Sequence, residues 1–260
     1  MSERRRPIVA GNWKMNTTVD EARRLASEIV EAAGDVVSCE VVVCPPFVSL
    51  TEVKRVISSS PIELGAQNLN ALERGAYTGE VSWSMLQGLC SHVIVGHSER
   101  RTYCHETDAE VNAKARAALA AGLVPIICVG ERLEQRDAGQ TAGFVSAQVR
   151  AAFDGVDAGA APRSVIAYEP LWAIGTGRAA SGADAQQVIA MIRTVIAELY
   201  ASSVAQQVRI QYGGSVTGAN AAEFAGQPDI DGTLVGGASL KAAEFAAIVR
   251  AFAAPVNKMG

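Results

Sequence analysis

SVIAYEPLWAIGTG, residues 164–177, reads as a β-strand running into a loop built for a ligand. Ser164 to Tyr168 form a short apolar run of strand type, and Pro170, which lacks an N–H, stops it. The carboxylate of Glu169 is therefore delivered at a strand's carboxyl end. Leu171 to Ile174 are more apolar than an ordinary solvated loop, and the glycines of Gly175-Thr176-Gly177 permit unusual backbone angles. That composition suits a lid over a site. A glutamate in this place also suits a salt bridge or a turn, so Glu169 needs support from the rest of the chain. Residues 175–180 formally fit the dinucleotide pattern GxGxxA. That fingerprint needs glycines directly after a strand and an acidic residue about 20 positions on, at the end of the next strand. Glu198 lies in a helical run, Ala185 to Tyr200, and the match is discarded.

Working outward, short β-rich runs alternate with helical stretches. The expected strands are Ile8 to Asn12, Glu40 to Cys44, Ile62 to Ala66, His92 to Gly96, Val124 to Cys128, Ser164 to Tyr168, Val208 to Tyr212 and Gly232 to Val235. Helical periodicity is clearest at Val19 to Ala33, Ala109 to Ala121, Phe144 to Phe153, Ala185 to Tyr200 and Ala242 to Phe252. Eight such units predict an α/β fold of one (β/α)8 barrel rather than a doubly wound sheet. The 260 residues, 49% hydrophobic, are enough for one large core, and no linker divides them. A single domain over 1–260 is expected, with a loosely held terminus at about 1–6.

A formal charge of −4 argues against a nucleic-acid binder, which shows a broad basic face. Any bound anion must be held locally. The apolar run after Arg4 to Arg6 is too short for a secretory signal or a membrane span. The five cysteines include no CxxC and read as reduced core or near-core thiols in a cytoplasmic protein. No metal-ligand spacing links them to His92, His97 or His105.

In a barrel the residues just past the strands converge on one face. Asn12 and Lys14 follow the first strand, His97 and Glu99 the fourth and Glu169 the sixth, while Gly213-Gly214 and Gly236-Gly237 follow the last two. Two glycine pairs there suit a phosphate site of exposed backbone N–H groups, with Ser215 adding a hydroxyl; as turns alone they would need no ligand. Lys14 is either a surface charge with a buried stem or the cation of that pocket, kept charged by Glu99. His97 is either a structural histidine or the partner of Glu169 across the mouth. One carboxylate, one imidazole, one ammonium and an amide suit proton abstraction beside a carbonyl, with the donors stabilising an enediolate. Returning the proton to the neighbouring carbon would convert an aldose phosphate to a ketose phosphate.

The segments AGNWKMN (10–16), GAQN (65–68), AYTGEVS (76–82), VGHSERR (95–101), YEPLWAIGTG (168–177), YGGSV (212–216) and LVGGASL (234–240) together resemble the triosephosphate isomerase family over essentially the whole chain. The resemblance implies interconversion of dihydroxyacetone phosphate and D-glyceraldehyde 3-phosphate through an enediolate, in glycolysis and gluconeogenesis. It implies Glu169 as general base and His97 as neutral electrophile, roles known for the family and taken over from it. Asn12 and Lys14 would contact substrate, and Gly175, Ser215, Gly236 and Gly237 would bind its phosphate. Glu99 would order Lys14, Tyr212 with Ser215 would latch a lid spanning Pro170 to Ala180, and Cys128 would support the site without acting as a nucleophile. No metal or organic cofactor is implied. The long connection from Asn68 to Glu80 would enter a second subunit, with Thr78 reaching the partner's Asn12, Lys14 and His97 region, to make a homodimer. Leu171 and Arg178-Ala179-Ala180 depart from the family's common hinge residues. A paralogue acting on a four-carbon ketose phosphate and a silent binding protein on the same fold stand as alternatives.

Overall fold

The computed structural model describes residues 5–173 and 180–254. Eight parallel strands close into a barrel in chain order: β1 (Ile8–Asn12), β2 (Glu40–Cys44), β3 (Glu63–Ala66), β4 (His92–Val95), β5 (Val124–Val129), β6 (Val165–Tyr168), β7 (Arg209–Tyr212) and β8 (Gly232–Val235). Every expected strand is present, within one residue at either end. β1 closes the sheet by pairing with both β2 and β8, Ala10 lying opposite Val42 and Leu234. No edge strand is left to aggregate.

Strand side chains alternate in direction, and that period of two distributes the core. Ile8, Ala10, Val42, Cys44, Ile94, Ile126, Cys128, Val165, Ala167 and Leu234 fill the lumen. Their neighbours Val9, Val41, Val43, Val95, Ile127, Ile166 and Ile210 face outward into the layer under the helices. Continued one step past β6, the alternation turns Glu169 inward, and within β1 it does the same for Asn12. At the opposite end it brings together Glu40, His92 and Arg209, the first residues of β2, β4 and β7. Glu40 lies 2.8 Å from His92 Nε2 and 2.6 Å from Arg209 Nη1. Burial pushes the Glu40 carboxyl up, but His92 and Arg209 outweigh it and hold the group down to about 2.

The longer helices start where a capping box allows. Thr18 with Glu21 opens Val19–Ala33, Thr107 with Glu110 opens Asp108–Ala120, and Ser181 with Asp184 opens Gly182–Leu199. The last begins before the expected Ala185 because its cap, not its apolar stripe, fixes the start. Thr141–Ala152 likewise extends ahead of Phe144, and Ala242–Ala253 completes the set. Leu50–Ile57, Ser98–Tyr103 and Leu133–Asp137 were not expected, being too short to establish a helical period.

β3 and β4 are joined differently. Only Trp83–Leu86 is helical there, and residues 72–80 are exposed. This loop is tied at its neck, where Asn70 N donates to Val81 O at 2.7 Å and Asn70 Nδ2 to Glu80 at 3.0 Å. Gly79 turns the tip at φ +93, a conformation open to glycine at little cost.

Of the terminus expected to be loosely held at about 1–6, Arg5 and Arg6 are among the described residues. Arg5 Nε donates to Asp231 at 2.6 Å and its Nη1 to Gln206 at 2.9 Å, because Asp231 precedes β8 at the base of the barrel. All five cysteines are unpaired, and four are buried as expected. Cys104 is exposed rather than near the core.

Candidate active site

The carboxyl ends of β1, β4, β6, β7 and β8 enclose a cavity of about 360 Å³ lined by Asn12, Lys14, His97, Glu169, Ser215, Gly236 and Gly237, among others. The ends of five strands would scatter these residues in an open sheet; barrel closure gathers them. Gly175 lies outside the described residues, as does most of the expected lid.

Asn12 ends β1 as an inward residue, and its Oδ1 accepts from Lys14 N at 3.0 Å. That contact helps to hold Lys14 at φ +53, a left-handed conformation costing a non-glycine residue about 1–3 kcal/mol. Gln67 secures the other side of the peptide, its Nε2 donating to Lys14 O and Cys44 O, both at 2.9 Å. Thus oriented, Lys14 Nζ reaches Glu99 Oε1 at 2.7 Å, while its Cε lies beside Gly236. The ammonium stands between Glu99 and the glycine loop.

His97 caps the helix Ser98–Tyr103, its Nδ1 accepting from Glu99 N at 3.2 Å. An accepting Nδ1 carries no proton, so the neutral ring holds its proton on Nε2. Nε2 is 3.0 Å from Glu169 Oε1. The other carboxylate oxygen accepts from Ser98 N at 3.0 Å. Burial pushes Glu169 up, yet the facing His97 and the Ser98 N–H prevail and hold it below the usual carboxylate range. For His97 burial pushes down, and the facing Glu169 outweighs it, for a net rise. The Glu99 N–H opposes that rise, since a proton on Nδ1 would confront it.

Two glycines make room for Glu169. A Cβ on Gly213 would lie 2.8 Å from Glu169 Cγ, and one on Gly130 would meet the Glu169 carbonyl. Behind Glu169, burial and then the Glu169 carboxylate raise the Cys128 thiol well above its ordinary value, leaving it a neutral group and no nucleophile.

At the far end, Gly237 opens the 3₁₀ turn Gly237–Leu240, and Gly236, Gly237 and Ala238 line the cavity. A Cβ there would meet no protein atom within 4 Å; the space is open on the cavity side. Ser215 Oγ donates to Ala173 O at 3.1 Å, across the mouth to the loop after Glu169. Tyr212 is buried, stacked on Phe224 at 4.4 Å between ring centres, and burial pushes its hydroxyl up to about 12 against the Ala180 backbone N–H. Among the described residues no cluster of His, Cys, Asp and Glu could hold a metal.

Gln67, Ser98 and Leu234 complete the site without having been singled out by sequence. Gln67 and Ser98 sit directly past β3 and beside His97, so position after a strand was the available signal; their partners are set by tertiary closure. Leu234, of inward parity in β8, lines the cavity wall.

Residues 7–252 match the sequence profile of the family described as triosephosphate isomerase. A protein of that name from Chloroflexus aurantiacus is 55% identical over 244 residues, covering 94% of this chain and 98% of the relative. Those from Rhodopirellula baltica and Moorella thermoacetica are 52% and 54% identical, over 95% and 94% of this chain and 98% of each relative.

Proposed function

The chain belongs to the triosephosphate isomerase family, and from that premise we propose that it interconverts dihydroxyacetone phosphate and D-glyceraldehyde 3-phosphate, the triose step of glycolysis and gluconeogenesis. The observation that carries the mechanism is the pair formed by the Glu169 carboxylate and the protonated Nε2 of His97, 3.0 Å apart at the mouth. A substrate carbonyl that takes the Nε2–H frees the carboxylate from this bond. It also separates His97 from the charge that raises its pKa, so the imidazole acts as a neutral donor. Glu169 then removes the proton from the carbon beside the carbonyl, and Lys14 and the Asn12 amide stabilise the enediolate oxygens. Return of the proton to the adjacent carbon completes the isomerisation.

Phosphate binding falls to Ser215 and to the N–H groups of Gly236 and Gly237, with Lys14 supplying positive charge nearby. Glu99 holds Lys14 in place, Cys128 supports the base from behind, and Tyr212 with Ser215 braces the mouth. The residues expected to bind phosphate through Gly175 lie outside the described part. A coupled isomerase assay on the purified protein tests the reading; turnover of triose phosphates no faster than the uncatalysed background overturns it.

We also infer a homodimer. Beside the site lies a second cavity of about 530 Å³, reached by Asn12, Lys14 and His97 and rimmed by Met15 and Tyr103, which are 97% and 78% exposed. Large apolar side chains bordering a catalytic pocket suit a protein partner, and the exposed loop around Thr78 supplies a complementary projection. Sedimentation that finds a fully active monomer at assay concentration refutes this. Among the described residues no helix is long and apolar enough to cross a membrane, and the unpaired cysteines support a reducing, cytoplasmic compartment.

A further inference from the structure

Trp172 follows the base by three positions and is held at its edge by a buried acid. Its Nε1 donates to Glu131 Oε1 at 2.9 Å, and the Tyr168 hydroxyl donates to the same oxygen at 3.1 Å. Leu171 N donates to Glu131 O at 3.0 Å. Glu131 is 0% exposed, so it offers this turn a fixed anchor. Trp172 itself is buried, 8% exposed.

A cation covers one face of the ring. Arg136, on the short helix Leu133–Asp137 of the preceding βα loop, places its guanidinium carbon 3.9 Å from the centre of the Trp172 ring. Its Nη2 is 3.8 Å from Asp184 Oδ1. Asp184 is the acid of the capping box that starts Gly182–Leu199, where its Oδ2 accepts from the Ser181 hydroxyl at 2.7 Å. One guanidinium therefore touches the chain on both sides of residues 174–179. A flat cation is suited to this arrangement, since it can lie face-on to a ring while its edge meets a carboxylate.

We propose that Arg136 is a positioning residue for the isomerisation proposed above: stacked on Trp172 and steadied by Asp184, it fixes the indole plane and with it the turn that carries Glu169. Arg136 itself lies outside the cavity and touches no reacting atom. Its contribution is to the placement of the base. Cation–π contacts of this kind correspond to about a 2- to 30-fold change in an equilibrium or rate.

The test uses Arg136→Ala and Arg136→Lys in the full chain labelled with 5-fluorotryptophan. The chain holds three tryptophans, and Trp172→Phe assigns the line of interest. In Arg136→Ala the Trp172 fluorine resonance moves or broadens while those of Trp13 and Trp83 stay. Turnover falls by about 2- to 30-fold with KM changed by less than about twofold, because substrate contacts are intact. Arg136→Lys keeps the charge but not the flat face and recovers less than half of the lost turnover. An unmoved Trp172 line, an unchanged kcat, or a KM that rises in step with the loss of kcat each overturns the proposal. Should Arg136→Ala fail to fold, Arg136→Lys carries the same test: full wild-type kcat with an unshifted Trp172 line is the overturning result. The spectrum requires no turnover, so an inactive wild-type protein would defeat the functional reading while the stack is still judged by its resonance.

Discussion

A methyl group at position 213 would enter space that Glu169 already occupies. The Cβ of Gly213→Ala lies 2.8 Å from Glu169 Cγ and 3.2 Å from the Tyr168 carbonyl oxygen. Carbon atoms rest at about 3.5–4.0 Å, so a displacement of about 0.7–1.2 Å has to be found. The backbone at position 213 cannot supply it, since Gly213 N is bonded to Tyr168 O at 2.7 Å. Glu169 must move instead, away from contacts of 3.0 Å with Ser98 N and His97 Nε2. Misplacement of a reacting group by about 1 Å costs about 10² in rate, or about 2.7 kcal/mol of barrier. Overpacking adds a loss of about 1–3 kcal/mol in stability. The assay is kcat in the coupled direction, the inhibition constant of a non-reacting triose phosphate analogue, and the thermal midpoint. We expect kcat to fall about 10²-fold while analogue affinity changes by less than about threefold. Wild-type kcat in a folded variant would refute the reasoning, because the position of the carboxylate would then not depend on the missing Cβ.

Gly237→Ala has the opposite signature: its methyl meets no protein atom within 4 Å, so the melting temperature holds while KM rises about tenfold or more, and an unchanged KM would remove the phosphate from this turn. Glu169→Gln keeps the shape of the base but cannot take a proton; kcat drops by roughly 10²–10⁴ with analogue affinity largely kept, and a parallel collapse of affinity would make Glu169 a binding group. Glu40 is held down to about 2 from an ordinary 4.5. Its folded pKa lies below the unfolded one, so its stabilisation is complete above about 4.5 and drains as the pH falls toward about 2. The difference in melting temperature between wild type and Glu40→Gln is therefore steady near neutrality and shrinks across that acid window; a difference that widens with acid would contradict the ion-pair account.

Alternation of apolar runs with helical periods was enough to locate all eight strands, because a buried parallel strand is a short, dense apolar segment bounded by turn residues. Parity then makes Asn12 and Glu169 inward residues, which is why position after a strand was informative for both. His97 shows the limit. Its sequence places it past β4, but the role of its Nδ1 depends on Ser98–Tyr103 being helical, and six residues carry too little periodicity to reveal a helix that the histidine caps. Gln67 is similar: it lies within a recognisable segment, yet its grip on the Lys14 carbonyl spans 53 positions and exists only after the barrel closes. The exposure of Cys104 escaped notice because an isolated cysteine in a loop has no period from which burial can be read.

The charged layer of Glu40, His92 and Arg209 gives the lumen a floor, and the packed side chains of Ile8, Ala10, Val42 and Ile94 fill the shaft above it. The site is therefore a cul-de-sac. Whatever enters by the mouth must leave by the mouth, and a molecule of product waiting there excludes the next molecule of substrate. For a reaction that runs both ways, this makes each triose phosphate a competitive inhibitor of the other's conversion by geometry alone. Net flux follows the ratio of the two in the surrounding pool relative to their equilibrium ratio.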